Sequence, residues 1–160
     1  MSLAESQGFR VISLGDEIEG DSREVALNHA AQFRQYIAAN PTLPLVMFSG
    51  GETTVTVRGE GRGGPNREFL LALALELNAD PSIWALAGDT DGIDGSDDDA
   101  GAVISPDTLQ RAALLGLDAA IALETNNVGQ FFSAIDDNLT TGPTRTNVND
   151  FRVLLYQPNT

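Results

Sequence analysis

The apolar positions of this chain recur with two periods, and the changes between them predict alternating strands and helices. The short, mainly apolar stretch 9–14 and the continuous apolar run 45–48 are typical of buried strands. The stretch 22–39 between them instead repeats its apolar residues at helical spacing. A strand, a helix and a second strand in this order predict a βαβ unit whose two strands are parallel.

The rest of the chain continues this alternation. Residues 53–58 alternate with period two and are rich in β-branched side chains, so they predict another strand. The same reasoning predicts strands at 83–87, 100–104 and 148–156, helices at 66–77, 106–115 and 119–124, and an amphipathic stretch around 128–135. Together these elements predict one α/β domain, with a mixed, largely parallel sheet and flanking helices in an α/β/α arrangement.

The two ends of the chain are expected to lie outside this domain. Residues 1–8 are interpreted as the remnant of a tag or linker, 9–156 as the domain and 157–160 as a frayed tail. No stretch approaches the ~20 apolar residues that cross a bilayer. The start of the chain also lacks the pattern of a signal peptide, so a cytoplasmic protein is expected.

Charge and composition exclude several classes of function. The 160 residues include 23 acidic and 9 basic side chains, and the formal net charge of −14 disfavours binding to nucleic acid or to an anionic membrane. The absence of cysteine excludes a disulfide scaffold, a thiolate zinc site and a cysteine nucleophile. Because His29 is the single histidine, a metal site built on two histidines is excluded as well.

The acid excess itself has two interpretations. All nine basic residues are arginine, and 14 Asp stand against 9 Glu. Such a surface is typical of adaptation to high salt, where counter-ions screen its self-repulsion. The alternative is an acidic protein from a mesophile with an arginine-biased genome. Adaptation predicts a melting temperature that rises from low to molar salt, and a flat series of thermal melts would contradict it.

Two glycine-rich segments follow strands and are candidates for binding an anion. Ser49-Gly50-Gly51-Glu52 leaves backbone N–H groups bare, which suits an anion, although a tight turn between strands has the same pattern. The segment 59–64 matches G-x-G-x-x-G and precedes a helix, whose N-terminus favours negative charge. Arg62 and Arg67 add fixed charge suited to a carboxylate or a phosphate, whereas the alternative is a flexible glycine loop.

An acidic loop follows the strand predicted at 83–87. Its carboxylates, without histidine, favour a hard cation such as Mg²⁺, with Asp91 and Asp94 as candidate ligands. The alternative is that these aspartates bond to nearby backbone N–H groups as turn residues. The run 97–99 is expected to be mainly solvated.

The last polar segment, 140–150, precedes the final strand. Arg145 is its candidate for holding an anion, whereas Asn147 and Asp150 are equally suited to holding the loop's own backbone.

Two further residues are assigned to the core. His29 lies on the apolar face of the first predicted helix, and Trp84 lies in a strand with the pattern of a buried one.

Four motifs taken together resemble one known family. In chain order they are Ser49-Gly50-Gly51-Glu52-Thr53-Thr54-Val55, Gly61-Arg62-Gly63-Gly64-Pro65-Asn66-Arg67-Glu68, Thr90-Asp91-Gly92-Ile93-Asp94-Gly95 and Thr141-Gly142-Pro143-Thr144-Arg145-Thr146-Asn147-Val148-Asn149-Asp150. They resemble the MOFRL domain, the C-terminal part of the class II glycerate kinases, whose members are often labelled hydroxypyruvate reductase. The resemblance extends over roughly 9–156.

The resemblance implies one domain of an enzyme that phosphorylates D-glycerate, usually to 2-phosphoglycerate, with ATP and Mg²⁺. A larger Rossmann-like N-terminal domain would precede this one and carry a lysine thought to be catalytic. The active site would lie in the cleft between the two domains. This chain has no lysine, so on its own it is expected to be inactive.

The resemblance also implies roles for individual residues. Arg62 and Arg67 would be catalytic by holding the carboxylate or phosphate, because phosphoryl transfer depends on positioning and charge neutralisation. Asp91 and Asp94 would face Mg²⁺ or the glycerate hydroxyls, and Arg145 would close the anion site. The other substrate-binding residues would be Ser49, Gly50, Gly51, Glu52, Gly61, Gly63, Gly64, Asn66, Glu68, Thr144 and Asn147.

One position departs from the family's pattern. The second motif commonly reads Gly-Gly-Arg-Asn-Gln-Glu, and here Pro65 replaces the arginine, with Arg67 where glutamine is common. Since that arginine is a candidate for contacting phosphate, either Arg62 or Arg67 would supply the charge instead.

The sequence is compatible with two other functions. An NAD(P)H-dependent hydroxypyruvate reductase is favoured by the G-x-G-x-x-G motif, but the acidic ribose partner expected ~20 residues further on is missing. A non-catalytic domain would bind substrate or dock its partner domain without turnover. Such a domain is expected to expose an apolar patch where the partner packs.

Overall fold

The computed structural model describes residues 2–78, 80–95 and 98–158, and these residues form six helices and seven strands. The helices are α1 (Ser2–Ser6), α2 (Ser22–Ala39), α3 (Pro65–Leu77), α4 (Thr108–Leu114), α5 (Ala119–Glu124) and α6 (Val128–Ala134). The strands are β1 (Arg10–Ser13), β2 (Ile18–Asp21), β3 (Leu45–Thr54), β4 (Ile83–Asp89), β5 (Gly101–Ile104), β6 (Asn138–Leu139) and β7 (Asp150–Tyr156). The prediction for Asp97 and those for the outermost chain ends lie outside the described residues.

All seven strands form one mixed sheet, as predicted. Its order is β1-β3-β7-β4-β5-β6, and β2 pairs with β3 further along the same edge as β1. Both β1 and β2 run parallel to β3, while the other four pairings are antiparallel, so the mixed sheet is mainly antiparallel and not largely parallel as predicted. Two of the antiparallel pairings arise because the last strand, β7, returns between β3 and β4, so β3 and β4 point the same way without being neighbours. The other two join β5 to β4 and to β6.

The helices α2 to α6 pack together on one face of this sheet. At their centre is α3, which contacts each of the other four as well as β3, β4 and β5. The α/β class, the single domain and the flanking helices are therefore as predicted. The described residues form two layers, one of helices and one of strands, and not the three layers of the predicted α/β/α arrangement. The reason is that helices α2 to α6 all lie on the same face of the sheet.

The core lies between α3 and the helix-facing side of the sheet. Successive strand residues point to opposite faces, and the helix-facing positions are the fully buried ones. They include Leu45 and Met47 of β3 and Leu154 of β7, which pack with Phe33 and Phe69 of the helices. Burial of such a side chain contributes roughly 1.5–3 kcal/mol to folding.

The opposite side of the sheet, termed the open face here, is also apolar. It contains two rows of side chains across neighbouring strands, Val46–Leu155–Trp84 and Phe48–Val153–Leu86, together with Phe151. Trp84 is 37% exposed and Phe151 is 45% exposed. The assignment of Trp84 to the core is therefore wrong: it alternates with the buried Ile83 and Ala85 and points to the face that no described helix covers.

Two predicted elements around β3 are also wrong. Residues 53–58 are not a separate strand, because β3 runs without interruption to Thr54. The Ser49–Glu52 segment is therefore strand rather than a loop, and the stretch between β1 and α2, for which no strand was predicted, contains β2. Gly51 makes this pairing possible: its φ is +125°, and a Cβ there would lie 2.2 Å from the carbonyl oxygen of Ile18 in β2.

Other boundaries differ by less. A short helix, α1, stands where a linker remnant was expected, and it lies against β1. Helix α3 begins at Pro65, one residue before the predicted start at 66, with Gly64 as N-cap. Proline suits this position because the first turn needs no backbone donor there. Among the described residues, no helix is long and apolar enough to cross a membrane.

Candidate functional site

Three loops meet where β3 and β4 end and β7 begins. They are the glycine loop (59–64), the acidic loop (90–95) and the threonine loop (140–149). The acidic loop lies between the other two. A Cβ on Gly95 would be 2.4 Å from the carbonyl oxygen of Gly63, and the backbone N–H of Thr144 donates to the Asp91 carbonyl at 3.1 Å. The fold thus gathers most of the sequence-predicted site residues at one edge of the sheet.

Asp94 of the acidic loop caps the N-terminus of α3. Its carboxylate accepts hydrogen bonds from the backbone N–H of Asn66 at 2.9 Å and of Arg67 at 3.1 Å. It also accepts the Nε–H of Arg67 at 3.0 Å, and its carbonyl oxygen accepts from the same guanidinium. Asp94 is 1% exposed and Arg67 is fully buried.

This carboxylate occupies the place where a ligand anion was expected. The helix N-terminus attracts negative charge, and Asp94 already provides it from within the chain. Burial raises the pKa of Asp94, while the backbone N–H groups and the charge of Arg67 act to lower it. With Asp99 as a further partner at 3.7 Å, the Arg67 guanidinium lies in a network of the protein's own carboxylates.

A second buried network holds the start of β7 to β3 and α3. Asp150 accepts hydrogen bonds from the side-chain amide of Asn66 at 2.7 Å and from the backbone N–H of Thr53 at 3.2 Å. It also forms an ion pair with the fully buried Arg152. Sequence reasoning missed the role of Arg152, although its spacing of two from Asp150 places both side chains on one face of the strand.

Glu68, a predicted substrate residue, instead anchors the glycine loop. Its carboxylate is 2% exposed and accepts from Arg23 at 2.7 Å and from the Asn126 side chain at 2.7 Å. The oxygen of that same Asn126 side chain accepts the backbone N–H groups of Arg58 and Gly59. Sequence reasoning did not single out Asn126, whose left-handed φ of 55° is visible only in the structure.

The glycines of the glycine loop are needed for close packing. A Cβ on Gly61 would lie 2.5 Å from the Asn127 backbone, and one on Gly64 would lie 2.4 Å from the Asp94 carbonyl carbon. Real Cβ atoms do not approach other atoms so closely, so any larger residue would push the loop away from its neighbours. The motif therefore has a structural cause without a ligand.

A cleft of about 340 Å³, the glycine-loop cleft, lies beside this loop. Its walls combine predicted residues with two that sequence analysis gave no separate role, Thr53 and Thr54. The predicted residues that line it are Gly61, Gly63, Gly64 and Glu68. Pro65, at the position of the family's arginine, also lines this cleft, so this wall carries no guanidinium at that position.

Ser49 points into the helix-facing interior and pairs with His29. The Nδ1–H of His29 donates to the Val25 carbonyl at 2.9 Å, because a carbonyl can only accept. Nε2 therefore accepts from the Ser49 hydroxyl, at 2.8 Å. His29 also packs edge-on against Phe69, with ring centroids 5.3 Å apart. The prediction of a packed, hydrogen-bonded His29 is confirmed, and the Ser49 hydroxyl has a partner within the chain.

This pairing predicts a pH dependence of stability. Burial lowers the pKa of His29 to about 4, below the ~6.5 of an unfolded chain. The unfolded state therefore takes up the proton first, and stability present above pH 6.5 is lost as the pH falls toward 4. Between pH 7 and pH 5 we expect a loss of about 2 kcal/mol in the free energy of unfolding, measured by urea denaturation. The variant His29→Gln should flatten this dependence, and an equally steep profile in the variant would contradict the assignment.

A second cleft, of about 440 Å³, opens on the other side of the sheet edge. This sheet-face cleft lies between the turn after β1 and the threonine loop. Its lining residues include Asp16, Phe48, Gly50, Thr90, Val148 and Phe151. Thr90 ties the threonine loop to the end of β4, because its hydroxyl donates to the Asn149 carbonyl at 2.8 Å and accepts the Val148 N–H at 2.8 Å.

Arg62 and Arg145 are the two predicted site residues that present an available positive charge. Both are exposed, and within the described ranges neither side chain has a hydrogen-bond or ion-pair partner. This is notable in a chain with 23 acidic residues. Arg145 adopts a left-handed backbone with φ of 61°, next to Thr144, which is bonded to the acidic loop.

The predicted metal ligands are not brought together. Asp94 is engaged at α3, whereas Asp91 accepts the Ile93 N–H at 2.8 Å and the Asn147 side chain at 3.5 Å. In the part of the chain that the structure describes, no group of three or more His, Asp or Glu side chains is arranged to hold a metal ion. Burial, with the negative charges of Asp91 and Asp150, raises the pKa of Asp89 at the same edge. A Mg²⁺ site therefore does not fit these residues alone.

Known proteins match this chain over most of its length. The MOFRL family model matches residues 45–150. A protein of Agrobacterium vitis with a provisional hydroxypyruvate reductase name is 45% identical over 96% of this chain and 41% of its own length. Glycerate 2-kinase of Pyrococcus horikoshii is 31% identical over 95% of this chain and 35% of its own length.

The fold also matches a solved structure. Glycerate kinase of Thermotoga maritima superposes with a TM-score of 0.90 at 31% identity, covering 98% of this chain and 38% of that one. The chain thus spans between 35% and 41% of the length of these relatives. The family match extends over more than half of the chain and includes all four sequence motifs, in whole or in part. This chain belongs to the MOFRL family.

Proposed function

We propose that this chain is the C-terminal domain of an ATP-dependent glycerate kinase that converts D-glycerate to 2-phosphoglycerate. The observation that carries the proposal is its likeness, along almost its whole length, to little more than a third of a glycerate kinase. The rest of such an enzyme would be a preceding, Rossmann-like domain. The active site would then lie between the domains, with this chain as one wall.

Within that site, we assign the neutralisation of anions to Arg145 and Arg62. Glycerate is a carboxylate and ATP a polyphosphate, and phosphoryl transfer is accelerated mainly by positioning and charge stabilisation. Arg145 lies on the threonine loop, whose Val148 lines the sheet-face cleft together with Thr90. Arg62 would act from the glycine loop. The buried Arg67, Asn66, Glu68 and Asp94 would support both loops as positioning residues.

The nucleotide and its metal would be held largely by the other domain. This chain contains no lysine for a phosphate-binding loop, and the N-terminus of α3 is capped by Asp94. Its described carboxylates do not form a Mg²⁺ site by themselves. A bound metal would neutralise charge on the phosphates, while this chain contributes arginine and the walls of the clefts. The isolated chain would therefore be inactive.

The reductase alternative loses its main sequence support. Its G-x-G-x-x-G motif is explained by close packing of Gly61 and Gly64 against neighbouring backbone. The name of the Agrobacterium vitis relative keeps the alternative worth testing.

A cytoplasmic location stays a prediction.

One pair of assays separates the two functions. The longer natural chain that contains this sequence would be incubated with D-glycerate, ATP and Mg²⁺, and the products resolved by ³¹P NMR. The same protein would be given hydroxypyruvate with NADH or NADPH, followed by absorbance. We expect 2-phosphoglycerate and no cofactor oxidation. Oxidation of NAD(P)H without any phosphorylated product would overturn the kinase proposal.

A further inference from the structure

The open face is an apolar surface that helices α2 to α6 leave uncovered; Trp84 and Phe151 are exposed on it, whereas Val46 is buried. Val46, Leu155 and Trp84 stand side by side on β3, β7 and β4, and Phe48, Val153 and Leu86 form the next row. Helices α2 to α6 all pack on the opposite side. A sheet face of this composition is normally buried in a folded protein, because apolar area in water is unfavourable.

Charge distinguishes this face from the rest of the surface. The chain has a formal net charge of −14, yet the two rows and the adjacent Phe151 contain no ionisable side chain. The surface is thus suited to apolar contact and not to the capture of an ion. Two copies of the chain would bring two strongly acidic molecules together, which repulsion disfavours at low salt.

The open face is continuous with the sheet-face cleft. Phe48 and Phe151 stack at 6.0 Å between ring centroids and belong both to the open face and to the lining of that cleft. Whatever covers the apolar rows therefore also forms the missing side of the cleft. The threonine loop, with Arg145 near its centre, borders the same opening through Val148.

We propose that the preceding domain of the same polypeptide docks on the open face by apolar contact and thereby closes the sheet-face cleft. The length of the relatives favours a domain of the same polypeptide as the partner that covers this face, because at least 59% of their length lies outside the part that this chain matches. The first described helix, α1, lies against the sheet-edge strand β1, so a segment before it would emerge beside the same sheet. This inference rests on the proposed two-domain function but specifies the surface.

Hydroxyl-radical footprinting tests the docking surface without any need for turnover. Trp84 and Phe151, both exposed in this chain, should be oxidised readily in the isolated 160-residue protein. In the longer natural chain their oxidation should be several-fold slower. Leu114 and Ile121, exposed at 80% and 61% on the helical layer, are the matched controls and should react equally in both proteins. Equal oxidation of Trp84 and Phe151 in both proteins would overturn the inference.

A charge placed on the face gives a second, independent test. Trp84→Glu should remove the protection of Phe151 in the longer chain, whereas Leu114→Glu on α4 should leave it intact. Circular dichroism of the isolated variants checks that both fold; if Trp84→Glu does not, the wild-type footprint alone decides. An isolated chain that sediments as a dimer with Trp84 protected would overturn the inference in favour of a second copy.

The outcomes separate this inference from the proposed function. Protection of Trp84 in a longer chain that lacks kinase activity would support the docking surface and contradict the kinase. Kinase activity in a longer chain that does not protect Trp84 would support the kinase and contradict the docking surface.

Discussion

Replacing Asp94 by alanine is expected to lower the free energy of unfolding by about 3–5 kcal/mol, because it removes the buried carboxylate that accepts the Nε–H of the fully buried Arg67 at 3.0 Å. The substitution also removes the acceptor for two backbone N–H groups at the start of α3. That helix lies at the centre of the helical layer. Urea denaturation of the isolated chain at neutral pH measures the loss directly.

Asp118→Ala is the matched control for this change. Asp118 also caps a helix, α5, by accepting two backbone N–H groups, at 2.9 and 3.0 Å, but it is exposed and has no ion pair in the described part of the chain. Its loss should cost only about 1 kcal/mol. Equal effects at Asp94 and Asp118 would mean that Asp94 acts as an ordinary cap. A stable Asp94→Ala protein with impaired turnover would instead restore the residue to the active site.

On the proposed function, replacing Arg145 by alanine in the longer natural chain is expected to lower kcat/KM for glycerate phosphorylation by about 100-fold, the effect typical of removing one group that stabilises developing charge. The stability of the protein should not change, because this side chain is exposed and makes no hydrogen bond within the described residues. Steady-state kinetics with D-glycerate and ATP varied in turn would show which anion it contacts.

Arg58→Ala serves as the control for Arg145. Arg58 is likewise exposed and has no ion pair among the described residues, and it precedes the glycine loop instead of standing on the threonine loop. Its removal changes the net charge equally, so a loss of rate in both variants would indicate a general electrostatic effect. Unchanged kinetics for Arg145→Ala would remove this residue from the proposed site and leave Arg62 as the predicted arginine to test.

Much of the fold follows from local patterns in the sequence. Helical spacing predicted α2 and α5 at nearly their observed bounds, since the relevant information is contained within each helix. The burial of His29 was predicted in the same way, from its place on an apolar helix face. The four motifs were also sufficient to predict the family.

Errors occur where the partner of a residue is distant in sequence. Gly50 and Gly51 resemble a turn locally, but β2 and β7 pair with them from either side and keep β3 extended. Trp84 has the composition of a core residue, and only the placement of all the described packing helices on one face leaves it exposed.

The candidate site shows the same division. Sequence identified the loops and the charged residues that they contain, because loops after strands gather at one edge of a sheet. The sequence did not show which of Arg67 and Arg145 is neutralised within the protein, since both are arginines in glycine- or threonine-rich segments. In the structure, Arg67 is enclosed by Asp94 and Asp99, while Arg145 is exposed on the threonine loop, whose Val148 lines the sheet-face cleft.

The sequence by itself therefore determined the order of the elements, the family and the chemical character of the loops. Only the tertiary structure decided which charges are neutralised within the protein and which are available to a ligand. The physical reason is that a charge loses its availability when a counter-charge and burial coincide, and both depend on contacts between residues far apart in the chain. The separation of 27 positions between Arg67 and Asp94 is one such contact.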